Sequence, residues 1–387
     1  MRTLPWEYAV RNLGRSPVRL VLTVGSAALV VGLVLASAGF VRGMSRSLQS
    51  SGEPDNVMLL GAGSEESVER SEVQRGVETH LLATVGGIKT TMGQAHVSPE
   101  VHMQLGLQES ADAPARPASL RGVTGAAFLV HPRVRIVRGR APRDGAAEVM
   151  AGPLAAARMG LPADRLDVGR TIWFDERAWK VVGAFESGGT VMDSEIWVPL
   201  DDLLIAAKRT TLSCVVATLG EAEPADVDLF AKQRLDLELV AIGEKDYYDG
   251  LSAFFQPIQA VALVTAALMA LSGLFGGLNT MYAAFAARVR EYGALQTLGF
   301  TRRAIVLSTI QESLLAACVG ALIASAVGVA VLDGLAVRFS LGAFGLIVDS
   351  PVVLVGLFAG LVLGVAGALG PTWRCLRLTI PTALKAV

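Results

Sequence analysis

Along most of this chain apolar and polar residues interleave, but in four places the charges stop. Leu20–Val41 carries none between Arg19 and Arg42, and Leu251–Ala287 carries none over 37 residues. Ser313–Leu332 follows Glu312 and ends at Asp333, and Ser350–Trp373 lies between Asp349 and Arg374. A hydrocarbon core needs about 20 apolar residues as helix, so each run is long enough to span. The second run would reach about 55 Å as helix against a core of about 30 Å. Its N-terminal part, through Gln256, Pro257 and Gln259, is therefore expected to stand above the membrane as a rigid stalk.

Between the first two runs the pattern changes. Thr171–Phe174 and Ala178–Phe185 alternate or run β-branched around Asp175-Glu176-Arg177, which predicts a hairpin. Glu195–Leu200 reads as a strand that meets a proline, Pro224–Arg234 has helical period, and Leu237–Ile242 is strand-like. Residues 61–78 are polar and without period, and Asp112–Pro117 reads as a loop or subdomain joint. This region is expected to be one large mixed α/β domain.

Charge orients the spans. Residues 43–250 hold 30 of the 35 acids and 21 of the 34 bases, a net of −9, while the remainder is net +8. Arg2, Arg11, Arg15 and Arg19 precede the first run. Arg288, Arg290, Arg302 and Arg303 sit between the second and third, and Arg374, Arg377 and Lys385 follow the fourth. Only Glu7 and Glu291 oppose these eleven bases. Short basic flanks stay in the cytoplasm. The expectation is four spans, both termini cytoplasmic, and residues 43–250 outside. Ala36-Ser37-Ala38 resembles a signal-peptide cleavage site, but the apolar run is longer than such peptides use.

The segment RVREYGALQTLGFTRRA, 288–304, is more ordered than a flank requires. Tyr292, Leu295 and Leu298 recur at three-residue spacing, Gly299 reads as a helix stop, and Thr301 as the cap of the next helix. Glu291 suits a first helical turn. A short docking helix is expected. Glu312, at the start of the third span, reads either as a polar contact at a helix or partner interface or as a snorkelling charge. Gly273 and Gly277, then Gly356, Gly360 and Gly364, repeat at helix-packing spacing and are expected to serve helix packing, including contacts with a second copy.

No catalytic chemistry emerges. His80, His96, His102 and His131 show no metal-ligand spacing, and Cys214, Cys318 and Cys375 form no CxxC pair. Gly86–Thr91 lacks the Gly-Lys step of a phosphate loop. No metal, cofactor or catalytic residue is expected.

Arg290–Ile305 resembles the "REIGLLRALGAxRRxI" signature of FtsX/MacB-like ABC-transporter permeases. Residues 9–23 resemble that family's N-terminal helix leading into span one. Residues 125–142, 148–152, 168–172 and 196–200 resemble its MacB-type periplasmic core domain. Residues 370–385 are similar to its closing motif, although Thr379–Thr382 and Phe300 depart from the usual pattern.

The resemblance implies a non-catalytic permease subunit of the bacterial inner membrane. It would carry the motion of a separate ABC ATPase, which binds the ATP, to a periplasmic domain acting on a lipoprotein, peptide, lipid or drug. It implies a second permease subunit in a homo- or heterodimer and leaves room for a periplasmic adaptor; nucleic acid is not an expected partner. Arg290, Glu291, Tyr292, Gly293, Leu295, Leu298, Gly299, Arg302 and Arg303 would form the ATPase-coupling element. The competing reading is a membrane sensor with an external ligand-binding domain.

The expected partition starts with an N-terminal amphipathic helix (1–19), span one (20–41), the external domain (42–250) and a stalk with span two (251–287). A coupling helix (288–304), span three (305–332), a short external loop (333–349), span four (350–373) and a tail (374–387) complete it.

Overall fold

The computed structural model describes residues 6–15, 17–286, 288–339 and 342–376. The closing motif beyond residue 376 and the first five residues lie outside the described residues. Contact clustering gives two compact units, one of Met1–Arg42, Pro257–Leu335 and Leu346–Val387, the other of Gly43–Gln256 and Ala336–Gly345.

In chain order, helices α1 (Trp6–Gly14) and α2 (Pro17–Gln49) lead into strand β1 (Asn56–Gly61). Helix α3 (Val77–Thr84) is followed by β2 (Thr90–Thr91), β3 (Gln94–Ala95), β4 (Val97–Leu107) and β5 (Arg116–Val123). Next come α4 (Ala127–Val130), β6 (Arg135–Gly139), β7 (Glu148–Ala151), α5 (Ala155–Met159), β8 (Thr171–Phe174) and β9 (Arg177–Glu186). Then follow β10 (Glu195–Pro199), α6 (Leu200–Ala206), β11 (Cys214–Thr218), α7 (Pro224–Gln233), β12 (Leu239–Gly243) and α8 (Glu244–Phe254). The chain continues with α9 (Gln256–Ala286), α10 (Val289–Thr297), α11 (Arg302–Val327), β13 (Ala336–Phe339), β14 (Gly342–Gly345) and α12 (Ser350–Leu376).

Among the described residues, four segments are long and apolar enough to cross a membrane: Leu20–Gln49, Gln256–Gly276, Arg302–Leu332 and Ser350–Arg374. In the first unit their small residues bring backbones together inside one chain. A Cβ at Gly273 would come within 2.1 Å of Val30, at Gly356 within 2.6 Å of Leu35, at Gly360 within 2.7 Å of Ala321, and at Gly364 within 3.0 Å of Ala317. Packing within the chain therefore accounts for these four glycines, and a second copy is not needed to explain them. Gly277 lies in α9, and its surroundings are outside the described residues.

The rigid stalk expected over 251–287 is corrected. The helix starts earlier, at Glu244, and is interrupted at Phe255, so α8 and α9 are separate helices. Pro257 supplies the reason: it lacks the N–H that would bond back to Ala253. The expected loop at 333–349 is also corrected. Its Ala336–Gly345 part forms the β13–β14 hairpin and belongs to the second unit, where a Cβ at Gly342 would meet Ser194 Oγ at 2.8 Å and Arg338 lies against Gly160. Of the two readings for residues 112–117, the loop holds. These residues lead from the β4–β5 turn into β5.

The second unit is built on a ten-stranded mixed sheet, in the order β12-β1-β11-β4-β5-β10-β7-β9-β6, with β8 paired to β9. The expected hairpin is β8–β9, with Phe174 opposite Arg177. Side-chain alternation gives this sheet two different faces. Val101, Leu120, Ile196 and Val215 enter the large apolar core on one face. On the other, Met58, Leu60, Cys214 and Val216 pack with Tyr247 and Tyr248 of α8. Beside that second cluster the strands turn charged: His102 lies opposite Arg121, Gln104 opposite Ser119, Glu195 opposite Ser119 and Trp197 opposite Arg121.

Candidate functional site

Within the segment 288–304, α10 ends in a defined stop and the next helix starts at a defined cap. After α10 the chain reverses at Gly299, whose φ of +88° favours glycine. Gly299 N donates to Gln296 O and Phe300 N to Leu295 O, both at 3.1 Å, the pair of bonds that ends a helix in a Schellman turn. Two residues later Thr301 caps α11, its side chain accepting from Ala304 N at 3.3 Å.

The coupling residues named from sequence separate into two groups. Tyr292 and Gly293 are buried within the unit, and Glu291 and Leu295 are half-buried. Arg290, Gly299, Arg302 and Arg303 are exposed, and Leu298 is 65% exposed. The expected apolar stripe thus divides: Tyr292 faces inward while Leu298 faces out.

What holds α10 is a polar cluster that joins three helices. Arg288 donates from Nε to Glu291 Oε2 at 2.9 Å and from Nη1 to Glu312 Oε2 at 3.0 Å, and its guanidinium lies 5.2 Å from the centre of the Tyr292 ring. From α1, the Tyr8 hydroxyl donates to Glu291 Oε1, and Asn12 Nδ2 donates to Glu312 Oε2 at 2.5 Å. Arg15 Nη1 adds an ion pair to Glu291 at 3.6 Å. Glu312 is buried, so it is neither a snorkelling charge nor free for a partner. Burial and the hydrogen bond to Glu291 push the Tyr8 phenol up to about 12. Burial alone would raise Glu291, but hydrogen bonds from Arg288 and Tyr8 outweigh it and hold the carboxyl below its usual value.

The sequence singles out Glu312 but not Asn12 and Arg288 as its partners, nor Tyr8 as the partner of Glu291. The available signal was that Glu312 is the lone acid within Arg302–Leu332. A buried acid requires a partner.

The second unit carries its own buried charges. Arg121 donates from Nε and Nη2 to both oxygens of Glu195, at 2.7 and 2.8 Å, and from Nη1 to Glu100 Oε2 at 2.7 Å. His131 Nε2 lies 2.9 Å from Glu100 Oε1, and its Nδ1 lies 3.7 Å from Glu244 Oε1 on α8. Glu244 also accepts from Asn56 Nδ2 at 2.8 Å. Burial opposes the charge on Glu100, but His131 and Arg121 outweigh it and hold the carboxyl well below its usual value. Burial likewise opposes the charge on His131, and Glu100 overcomes it and raises the imidazole. Burial raises Glu244.

Glu100, His102 and Cys214 lie close enough for one ion. The donor chemistry does not suit a metal. Both Glu100 oxygens are engaged, one by the permanently charged Arg121, and burial raises the Cys214 thiol away from the thiolate form. Of the other histidines, His96 pairs with Thr91 and His80 is exposed. In the Gly86–Thr91 loop, Gly87 O accepts the N–H groups of Gly220, Glu221 and Ala222 at 2.9–3.0 Å, so this turn is engaged with backbone.

Comparisons with known proteins agree with this division. The family described as MacB-like periplasmic core domain matches residues 20–233, and the FtsX-like permease C-terminal family matches residues 263–380. No curated protein sequence matches the chain. Similar solved structures include the periplasmic region of MacB from Actinobacillus actinomycetemcomitans. It is 11% identical, with a TM-score of 0.40 over 53% of this chain and 95% of that one. Another is the extracellular domain of the noncanonic ABC-type transporter YknZ from Gram-positive bacteria, 15% identical, with a TM-score of 0.37 over 48% and 99% of the two chains.

Proposed function

The chain belongs to the FtsX/MacB-like family of ABC-transporter permeases, and from that premise we propose that it couples a separate ATPase subunit to work done by its extracytoplasmic domain. As a family member it is an inner-membrane protein with an extracytoplasmic domain and is a transporter component. The finer reading is that both termini and α10 face the cytoplasm, that α10 docks on the ATPase, and that a second permease subunit completes the complex. The substrate would be a lipoprotein, peptide, lipid or drug handled outside the membrane, with an adaptor protein where the system uses one.

The observation that carries this reading is the two-sided construction of α10. Its inner side is fixed by Tyr292, Arg288 and Glu291, while Arg290 near its start, Leu298 just past its end, and Arg302 and Arg303 at the start of α11 are exposed. A helix latched from behind by side chains, with an apolar side chain and arginines exposed in front, is suited to receive a partner's push. The test is co-purification with a P-loop ATPase and comparison with Leu298→Asp. An apolar anchor at the centre of an interface contributes about 2 kcal/mol, so ATPase affinity should fall about thirtyfold. Unchanged affinity and unchanged stimulated turnover would refute the docking role. Gly293→Asp is a poor probe, because Gly293 is buried and the charge would damage the fold itself.

A further inference from the structure

Helix α1 buries polar residues beside its buried Ala9 and leaves large apolar ones exposed. In a soluble amphipathic helix the buried side is apolar. Here the buried side includes Asn12 and the half-buried Tyr8, both engaged by glutamates, while Trp6 and Val10, one turn apart, are 51% and 47% exposed. Arg11 is exposed about a quarter-turn round the helix from Val10, while Arg15, just past the helix end, pairs with Glu291 on the inner side. Arg11 has no ion-pair partner among the described residues. An exposed tryptophan and an aliphatic residue, flanked by one free arginine on a short helix, fit the boundary between headgroups and acyl chains.

The chain keeps this side near a bilayer. The apolar run of the first span starts at Leu20, six residues after α1 ends at Gly14. Six residues reach at most about 20 Å. The N-terminal flank holds Arg2, Arg11, Arg15 and Arg19 against Glu7, so the favoured surface is anionic. The opposite side of α1 donates to Glu291 and Glu312, which both bind Arg288 at the base of α10.

We propose that α1 is an interfacial helix that engages anionic phospholipid and transmits that engagement to α10 through Tyr8 and Asn12. This rests on the reading of α10 as the coupling helix. It adds that the helix is tuned by the lipid beneath it, with Tyr8 and Asn12 as positioning residues.

The experiment uses the full chain in nanodiscs, without any ATPase. Backbone amide exchange of residues 289–297 is compared between discs of neutral phosphatidylcholine and discs containing phosphatidylglycerol. The native chain should exchange more slowly at α1 and α10 in the anionic discs. Arg11→Gln should remove about fivefold of the lipid gain, as expected for one arginine at an anionic surface. Asn12→Leu should keep the response at α1 and lose it at α10, and Tyr8→Phe, which only removes a donor, should weaken it at α10. Equal exchange of native α10 in both disc types would overturn the proposal, as would an α10 response that survives both latch variants. Because no ATPase is present, failure here leaves the docking test of Leu298→Asp intact.

Discussion

Glu100 in the extracytoplasmic unit is sealed from solvent, whereas the Glu291 side chain in the membrane unit is 31% exposed. Both are carboxylates held by an arginine and a second donor. Their scaffolds differ. Glu100, Arg121 and Glu195 sit on neighbouring strands, so backbone ladders fix their spacing before any side chain is placed. Glu291, Glu312, Tyr8 and Asn12 sit on three helices that share no backbone ladder, and only side chains join them. The first network is part of the fold. The second can be undone and remade without unfolding anything, which is the property a moving joint requires.

This contrast can be broken, starting with the largest effect. Arg121→Met strands Glu100 and Glu195 in an apolar interior. Removing one partner of a buried ion set costs about 3–5 kcal/mol, and thermal unfolding of the full chain in detergent should drop by roughly 10 °C. If Arg288→Met lowers it as much, the distinction between the two networks fails.

The next effect is a pH dependence confined to the extracytoplasmic unit. Its buried set has three carboxylates, Glu100, Glu195 and Glu244, against Arg121 and a protonated His131. His131 is raised by Glu100 against the effect of burial. Its contribution is complete below the ordinary histidine value of about 6.5 and is lost as pH rises through the raised value. Glu244, raised by burial, acts in the same direction. Glu100, which is lowered, contributes above its ordinary value of 4.5 and loses that contribution in acid. Stability of this unit should therefore decline on the alkaline side, and His131→Gln should flatten the decline. An unchanged slope in that variant would remove His131 from the account.

A smaller effect comes from the latch. A double-mutant cycle between Asn12→Leu and Glu312→Gln should show coupling of about 0.5–3 kcal/mol, read from unfolding in detergent. Additive losses would mean that the 2.5 Å contact contributes nothing. The smallest effect belongs to Leu298→Asp, which should shift stability by no more than about 0.5 kcal/mol. A large loss would show that Leu298 is structural and not a free docking anchor.

Hydropathy made the four apolar segments readable, and local chemistry made the β8–β9 hairpin, helix α7, the Gly299 stop and the Thr301 cap readable. These features depend on residues within a turn or two of each other. The two networks do not. Asn12 and Glu312 are 300 residues apart, and Tyr8 and Glu291 are 283 apart. In the strands, alternation of His102, Gln104, Ser119, Arg121 and Glu195 with apolar residues has the appearance of a solvated face. Only the return of α8 over the sheet, with Tyr247, Tyr248 and Glu244, shows that much of this face is closed. Apolarity runs uninterrupted through Pro257, so hydropathy alone does not mark the α8–α9 break.

The β13–β14 hairpin has a practical consequence for anyone isolating the soluble part. A fragment cut as residues 43–256 is contiguous in sequence but incomplete in space. It omits Ala343 and Phe344, both buried in the intact protein, and uncovers the surfaces at Gly43, Gly160 and Ser194 that the hairpin covers. Such a fragment would present a raw apolar scar, and anything captured by that scar would be mistaken for cargo. Grafting residues 336–345 back through a flexible linker is the control that separates the two.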